Sequence, residues 1–304
     1  MSNKTHILLA VVVLMSLNCS IQKLTMSKIS KSFSNSENTV FTGDDDPELI
    51  RDALPFTMKL YESLLAKDST NPELYLAAGK LFCLYAQGFV LFPADTLADS
   101  LTMQKKAAGK RAKKLFLRGR GYALKALDLR HPQFTALVNR GATDSALLII
   151  TPADSSYLYW SSVSWMGAIA ADRSDLGLSM TMKKAVALIN KLSSINESYS
   201  SGALNELYCI YYASAPKSMG GDTASARVQL TKAIAASNNS KVSPFVTGAL
   251  SLSVKNKNKE EFEQFLNSAL SIDINAFPQL KLQNIIYQQR AKWMLEHMER
   301  YFQE

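Results

Sequence analysis

Three histidines and three cysteines are the side chains in this 304-residue chain best suited to holding a metal or starting a nucleophilic reaction. A zinc site needs such ligands at short, helix- or turn-matched spacings. His131 is followed by Pro132 in a turn and His297 lies near the end of the last helical run, and neither belongs to an HExxH or CxxC set. Cys83 and Cys209 each stand alone in apolar helical runs. Two thiols in an exported chain could pair, but each reads more simply as a small buried hydrophobe. No nucleophile elbow or glycine-rich phosphate loop is present. These residues imply no catalytic set, no metal and no cofactor, so the work of the chain is expected to be binding.

The first chemistry the sequence does suggest is at its start. Lys4 and His6 precede an apolar run from Ile7 to Met15, the pattern of a secretory signal and too short to span a bilayer. Cys19 follows at the cleavage point and resembles the cysteine of a bacterial lipoprotein box, which becomes the lipidated first residue. The usual box has Leu three places earlier and a small residue just before, where this chain has Ser16 and Asn18. The alternative is a signal cut elsewhere, with Cys19 incidental. Residues 19–43, dominated by Ser, Lys, Asn and Thr without apolar period, then read as a flexible tether. The organisation expected is a signal peptide over 1–18, a lipidated tether over 19–43 and one α-helical domain over 44–304, held at a bacterial membrane on the periplasmic side.

The chain carries a formal net charge of +8. Ten of its bases, among them Lys105, Lys106, Lys110, Arg111, Lys113, Lys114, Arg118 and Arg120, crowd into residues 105–130 against the single acid Asp128. In an exported chain this argues against nucleic acid. The ordinary reading is a solvated helix face, and the sharper one is contact with anionic headgroups or an acidic partner.

The elements that would position any site are helices. Asp46-Pro47-Glu48 is a helix start, with Asp46 as cap, and Ile50, Leu54, Met58, Tyr61 and Leu65 follow on one stripe. Asn71-Pro72-Glu73 opens a second helix through Gln87. Later helices then repeat a small–large–small order at spacings of four and three. It appears as Ala123 and Ala126; as Ala185, Ile189 and Leu192; as Ala226, Leu230 and Ala233; and as Phe262, Leu266 and Ala269. A small residue lets helices approach closely and a bulky one fills the gap between neighbours, the pattern of the second helix of a tetratricopeptide repeat. Partner helices precede each at 72–87, 155–171, 202–214 and 243–255. The fold expected is all-α, with about four tetratricopeptide-like hairpins and an extra N-terminal helix. A C-terminal capping helix carries Leu280, Tyr287, Ala291, Met294 and Met298 on one face.

Two segments interrupt the repeat. One is an insertion over 133–154. The other, Pro216 to Asp222, lengthens the link inside the third hairpin: Pro216 ends one helix, Gly220 and Gly221 permit unusual backbone angles, and Asp222 caps the next. Met219 at its tip suits contact with an apolar partner surface, so Pro216, Met219, Gly220, Gly221 and Asp222 are expected at a partner or channel mouth. A spacer with no such role is the alternative.

The Asp-Asp-Asp-Pro-Glu opening with Ala53-Leu54-Pro55, the run "YLYWSSVSWMGAIA", and Pro216 with Gly220-Gly221-Asp222 after Tyr208, Tyr211 and Tyr212 together resemble the tetratricopeptide lipoprotein T components of TRAP-type transporters, over roughly residues 41–300. The resemblance implies a non-catalytic, lipid-anchored accessory that docks the solute-binding component of the transporter. It also implies a small carboxylate or apolar ligand and a trimer. A general tetratricopeptide adaptor for envelope assembly is the alternative. With Gly167 at the eighth place of its repeat, helix geometry aims Ser164, Ala168 and Ala171 at the concave side, then Glu206 and Ile210, then Thr247 and Ser251. Tyr211 is carried with this set as pore lining. Trp160, Trp165, Tyr208, Tyr211 and Tyr212 read first as core packing, because aromatics dominate helix–helix burial.

Overall fold

The computed structural model describes residues 39–302; the leader and Cys19 lie outside the described residues. No strand occurs among them. Helix α1 (Pro47–Lys67) begins where Asp46 accepts hydrogen bonds from the amides of Glu48 and Leu49 at 3.0 and 2.9 Å, and its stripe from Ile50 to Leu65 is buried. Helix α2 (Pro72–Tyr85) is capped by Asn71, which accepts from the Leu74 amide. It passes Gln87 through a wide π turn, Ala86–Leu91, into Phe92–Asp95. By length and composition the stretch Pro72–Asp95 is apolar enough to cross a membrane, and half of it is buried in this fold.

Four hairpins follow the expected pairing. Helix α3 (Thr102–Arg130) packs on α2. The insertion forms two short helices, α4 (Phe134–Asn139) and α5 (Thr143–Leu148), whose Phe134, Val138, Ala146 and Leu147 fold into the main core. The second hairpin is α6 (Ser155–Ala171) with, after the short α7 (Leu176–Ser179), α8 (Met182–Ile195). The third is α9 (Ala203–Ser214) with α10 (Thr223–Ser237). The fourth is α11 (Ser243–Gly248), prolonged by a π turn over Ala249–Ser253, with α12 (Lys259–Leu270).

The small residues sit where helices touch. A Cβ on Gly79 would lie 2.9 Å from the carbonyl oxygen of Gly119, and one on Gly119 would lie 2.9 Å from that of Gly79. Neither helix can carry a side chain there without separating from the other. Gly167 likewise leaves room for the ring of Phe116, which a Cβ would meet at 2.6 Å. Ala123, Ala126, Ala185, Ala226, Ala233 and Ala269 are all fully buried, as their repeat positions require.

Helix α13 (Lys281–Glu296) does more than cover the last hairpin. On one side Gln288 donates to the carbonyls of Ala269 and Ile272 at 3.0 and 2.9 Å, satisfying groups that the end of α12 leaves free. The buried Asn284 donates to the Ser240 carbonyl and accepts from the Val242 amide. On the other side Lys281 pairs with Asp45 at 2.9 Å and Arg290 with Asp95 at 2.6 Å, and beyond the helix Arg300, in the 3₁₀ turn Met298–Arg300, pairs with Asp99 at 2.5 Å. The array therefore closes, its last helix bound to its first hairpin. Phe41, in the turn Thr39–Thr42, packs in the cluster around Phe82 and Val90, so the end of the segment read as tether is folded.

Candidate functional site

Closure brings residues of four elements toward one interior. Tyr159 of α6 stands near Glu206 of α9, Tyr287 of α13 and Cys83 of α2, with Tyr199 beside them. The Tyr159 and Tyr199 rings are 5.0 Å apart, and Tyr159 meets Trp160 edge-on at 5.4 Å. Tyr159, Glu206 and Tyr287 are half-buried. Burial, then the charge of Glu206, raises the phenols of Tyr159 and Tyr287 well above their ordinary range.

Glu206 is the one acid of this interior set. Ser243 donates to one carboxylate oxygen at 2.8 Å and Thr247 to the other at 2.7 Å, so α9 and α11 are joined through it. Burial raises its pKa, while the two hydroxyls and the charge of Lys241 oppose the rise. Lys241 donates to the carbonyls of Ser200 and Ser201, and burial lowers its pKa.

Of the concave set read from the sequence, Glu206 and Thr247 are brought together by their hydrogen bond. Ser243, which completes the cluster, escapes sequence reasoning because it opens α11 beside Pro244 and reads only as a helix start. Ile210, four residues after Glu206, is exposed. Ser251 is half-buried inside the π turn, which rotates it relative to a regular helix. Ser164 and Ala168 are fully enclosed and Ala171 is half-buried. Ser164 faces Gly119 across the α3 crossing, where a Cβ on that glycine would stand 3.3 Å from its Oγ. Ser164 and Ala168 thus serve helix approach and line no open face. Ala171 meets α3 in the same way, its carbonyl 2.7 Å from where a Cβ on Gly109 would be.

The loop after α9 is built around Tyr211. This side chain is buried, and its hydroxyl donates to the Met219 carbonyl. The chain leaves the helix at Ala215, turns through a 3₁₀ segment over Lys217–Met219, and returns with the Asp222 amide bonded to the Tyr212 carbonyl at 2.9 Å. Gly220 has φ +91°, and a Cβ there would lie 2.7 Å from the Tyr211 oxygen. Gly221 has no positive φ; it is glycine because the Ala215 carbonyl occupies the place of a Cβ. Asp222 accepts from the amides of Ala224 and Ser225, and the hydrogen bonds from Ser225 lead in holding its carboxyl below the ordinary value. Met219 projects with 39% of its surface exposed. Trp165 and Tyr208 are core residues: Trp165 donates to Thr181 at 2.7 Å and Tyr208 to Asn190 at 2.7 Å.

The fold is an all-α array of helical hairpins. The chain belongs to the TRAP transporter T-component family, whose sequence model matches residues 43–302. It is also 30% identical over 300 residues to an uncharacterized protein of Treponema pallidum (strain Nichols), covering 93% of each chain.

Proposed function

We propose that this chain is the non-catalytic, periplasmic lipoprotein accessory of a TRAP-type transporter. It docks the solute-binding component and passes a small carboxylate or apolar ligand along its interior face. The observation that supports this reading most is the closure of the repeat array by α13. It leaves Tyr159, Glu206 and Tyr287 half-buried around an interior instead of on an open groove. Members of the T-component family are transporter accessories, which supports a role without catalysis. Docking falls on the loop after α9, where Met219 projects from a segment that the Tyr211 hydroxyl braces, since an exposed Met adapts to an apolar partner surface. Cys19 supplies the anchor to the membrane.

The experiment is co-purification from detergent-solubilised envelopes with tagged parent protein and tagged Cys19→Ser. The parent is expected to bring down the solute-binding component and the membrane permease of one transporter. Recovery of an envelope-assembly machine instead would replace this reading with that of a general adaptor.

A further inference from the structure

The basic stretch of α3 is not used by the interior, by the loop or by the closing contacts alone. Several of its cations are spent on the fold. Lys113 bonds Asp172 at 2.6 Å and Asp175 at 3.1 Å, Arg118 pairs with Glu62, and Arg120 lies over the Trp165 ring. Lys106, Lys110 and Lys114 recur every fourth residue, are exposed, and have no hydrogen bond or ion pair among the described residues. They form one row along the helix.

Beside that row runs the segment that Lys113 holds. The Ala171 carbonyl lies 2.7 Å from where a Cβ on Gly109 would be, so the chain from 171 to 175 lies against this turn of α3. It carries exposed Arg173, also without a partner among the described residues, and then Leu176 and Met180, 73% and 74% exposed. Met103, 75% exposed, stands at the near end of the lysine row. The acids of the neighbourhood, Asp172 and Asp175, are both engaged by Lys113.

We propose that this face lies on an anionic lipid bilayer, with Lys106, Lys110, Lys114 and Arg173 on the headgroup phosphates and Leu176, Met180 and Met103 entering the interfacial region. One feature favours lipid over an acidic protein: the apolar side chains of Leu176, Met180 and Met103 protrude singly, a shape suited to insertion between headgroups. A second copy of the same face is disfavoured by charge, since the row would meet its like.

The test is co-sedimentation of the chain from residue 20 onward, without leader or acyl chain, with phosphatidylglycerol–phosphatidylcholine vesicles and with pure phosphatidylcholine vesicles. The expected result is partitioning onto the anionic vesicles that weakens as salt is added. The triple variant Lys106→Gln, Lys110→Gln, Lys114→Gln should partition about 100-fold less, since each base near such a surface contributes a few-fold to tenfold. Leu176→Asn with Met180→Gln should lose about tenfold on the same vesicles. All five positions are exposed, so unchanged circular dichroism is expected throughout. Equal partitioning onto both vesicle types, or no loss in the lysine variant, overturns the proposal. So does a lysine variant that keeps the vesicles but no longer binds the purified solute-binding component, which would assign the face to a protein.

Discussion

The ring of Tyr287 meets that of Phe92 edge-on, centroids 5.1 Å apart, across 195 residues of sequence. The guanidinium of Arg290 lies over the same Phe92 ring at 3.9 Å while pairing with Asp95. These ring contacts act with the ion pairs of Lys281, Arg290 and Arg300 in closing the array. Tyr287→Ala is expected to cost about 1–3 kcal/mol, because a half-buried aromatic and its edge-on partner are lost. Hydrogen exchange should quicken in residues 86–95 and 281–302 while α6 and α8 keep their protection. Uniform quickening through the chain would show that closure is not a separable step.

The crossing of α2 and α3 rests on two glycines facing each other's carbonyls. Gly79→Ala and Gly119→Ala should each cost about 1–3 kcal/mol, as overpacking does where backbone is the obstacle. Ala233→Leu belongs to the same class, because α10 meets Gly202 there, with the Ala233 carbonyl 2.7 Å from where a Cβ on that glycine would be. Thermal melts at the parent temperature for all three would remove the repeat register.

Tyr211 and the glycines make the loop a braced structure. Tyr211→Phe should cost about 1 kcal/mol through the lost bond to Met219. Gly220→Ala should cost more, since it adds a left-handed penalty of about 1–2 kcal/mol to contact with the Tyr211 oxygen. Denaturant melts read both, and a Gly220→Ala protein as stable as the parent would deny the brace.

Much of this is legible in the residues. Caps at Asp46, Asn71 and Asp222 are local, so a few letters suffice to specify them. The small–large–small order survives because every member is forced to zero or near-zero exposure by two neighbours at once. What escapes such reading is non-local. Lys281, Arg290 and Arg300 sit on a segment whose sequence shows only a cap, and their partners Asp45, Asp95 and Asp99 look like ordinary surface acids. The π turns at Ala86–Leu91 and Ala249–Ser253 leave no period break that a stripe of apolar residues reveals. Of the pair Gly220-Gly221, the positive φ follows from residue type, whereas the need of Gly221 for a missing Cβ comes from the returning backbone of Ala215.

Glu206 gives a pH dependence with a definite sign. Burial raises its folded pKa above the unfolded value of 4.5, so the folded state holds the proton longer. Its contribution is full below 4.5 and is lost as pH rises through the folded value. Of the groups facing it, burial raises the Tyr159 and Tyr287 phenols and the Cys209 thiol and lowers the Lys241 ammonium. Glu206→Gln keeps an acceptor and a donor for Ser243 and Thr247, so its stability relative to the parent should rise between pH 4.5 and neutrality. A parent that gains on the variant over the same window would contradict the raised pKa.

The central claim is that the chain docks a solute-binding component at the Met219 loop. The most direct measurement is titration of the purified component into parent protein and into a variant with residues 217–221 shortened to two, by isothermal calorimetry with helical content checked in parallel. Saturable binding to the parent, lost or weakened at least tenfold in a variant of unchanged helicity, is the predicted result. Equal binding by both proteins would contradict docking at this loop, and no binding by the parent would contradict the docking function itself.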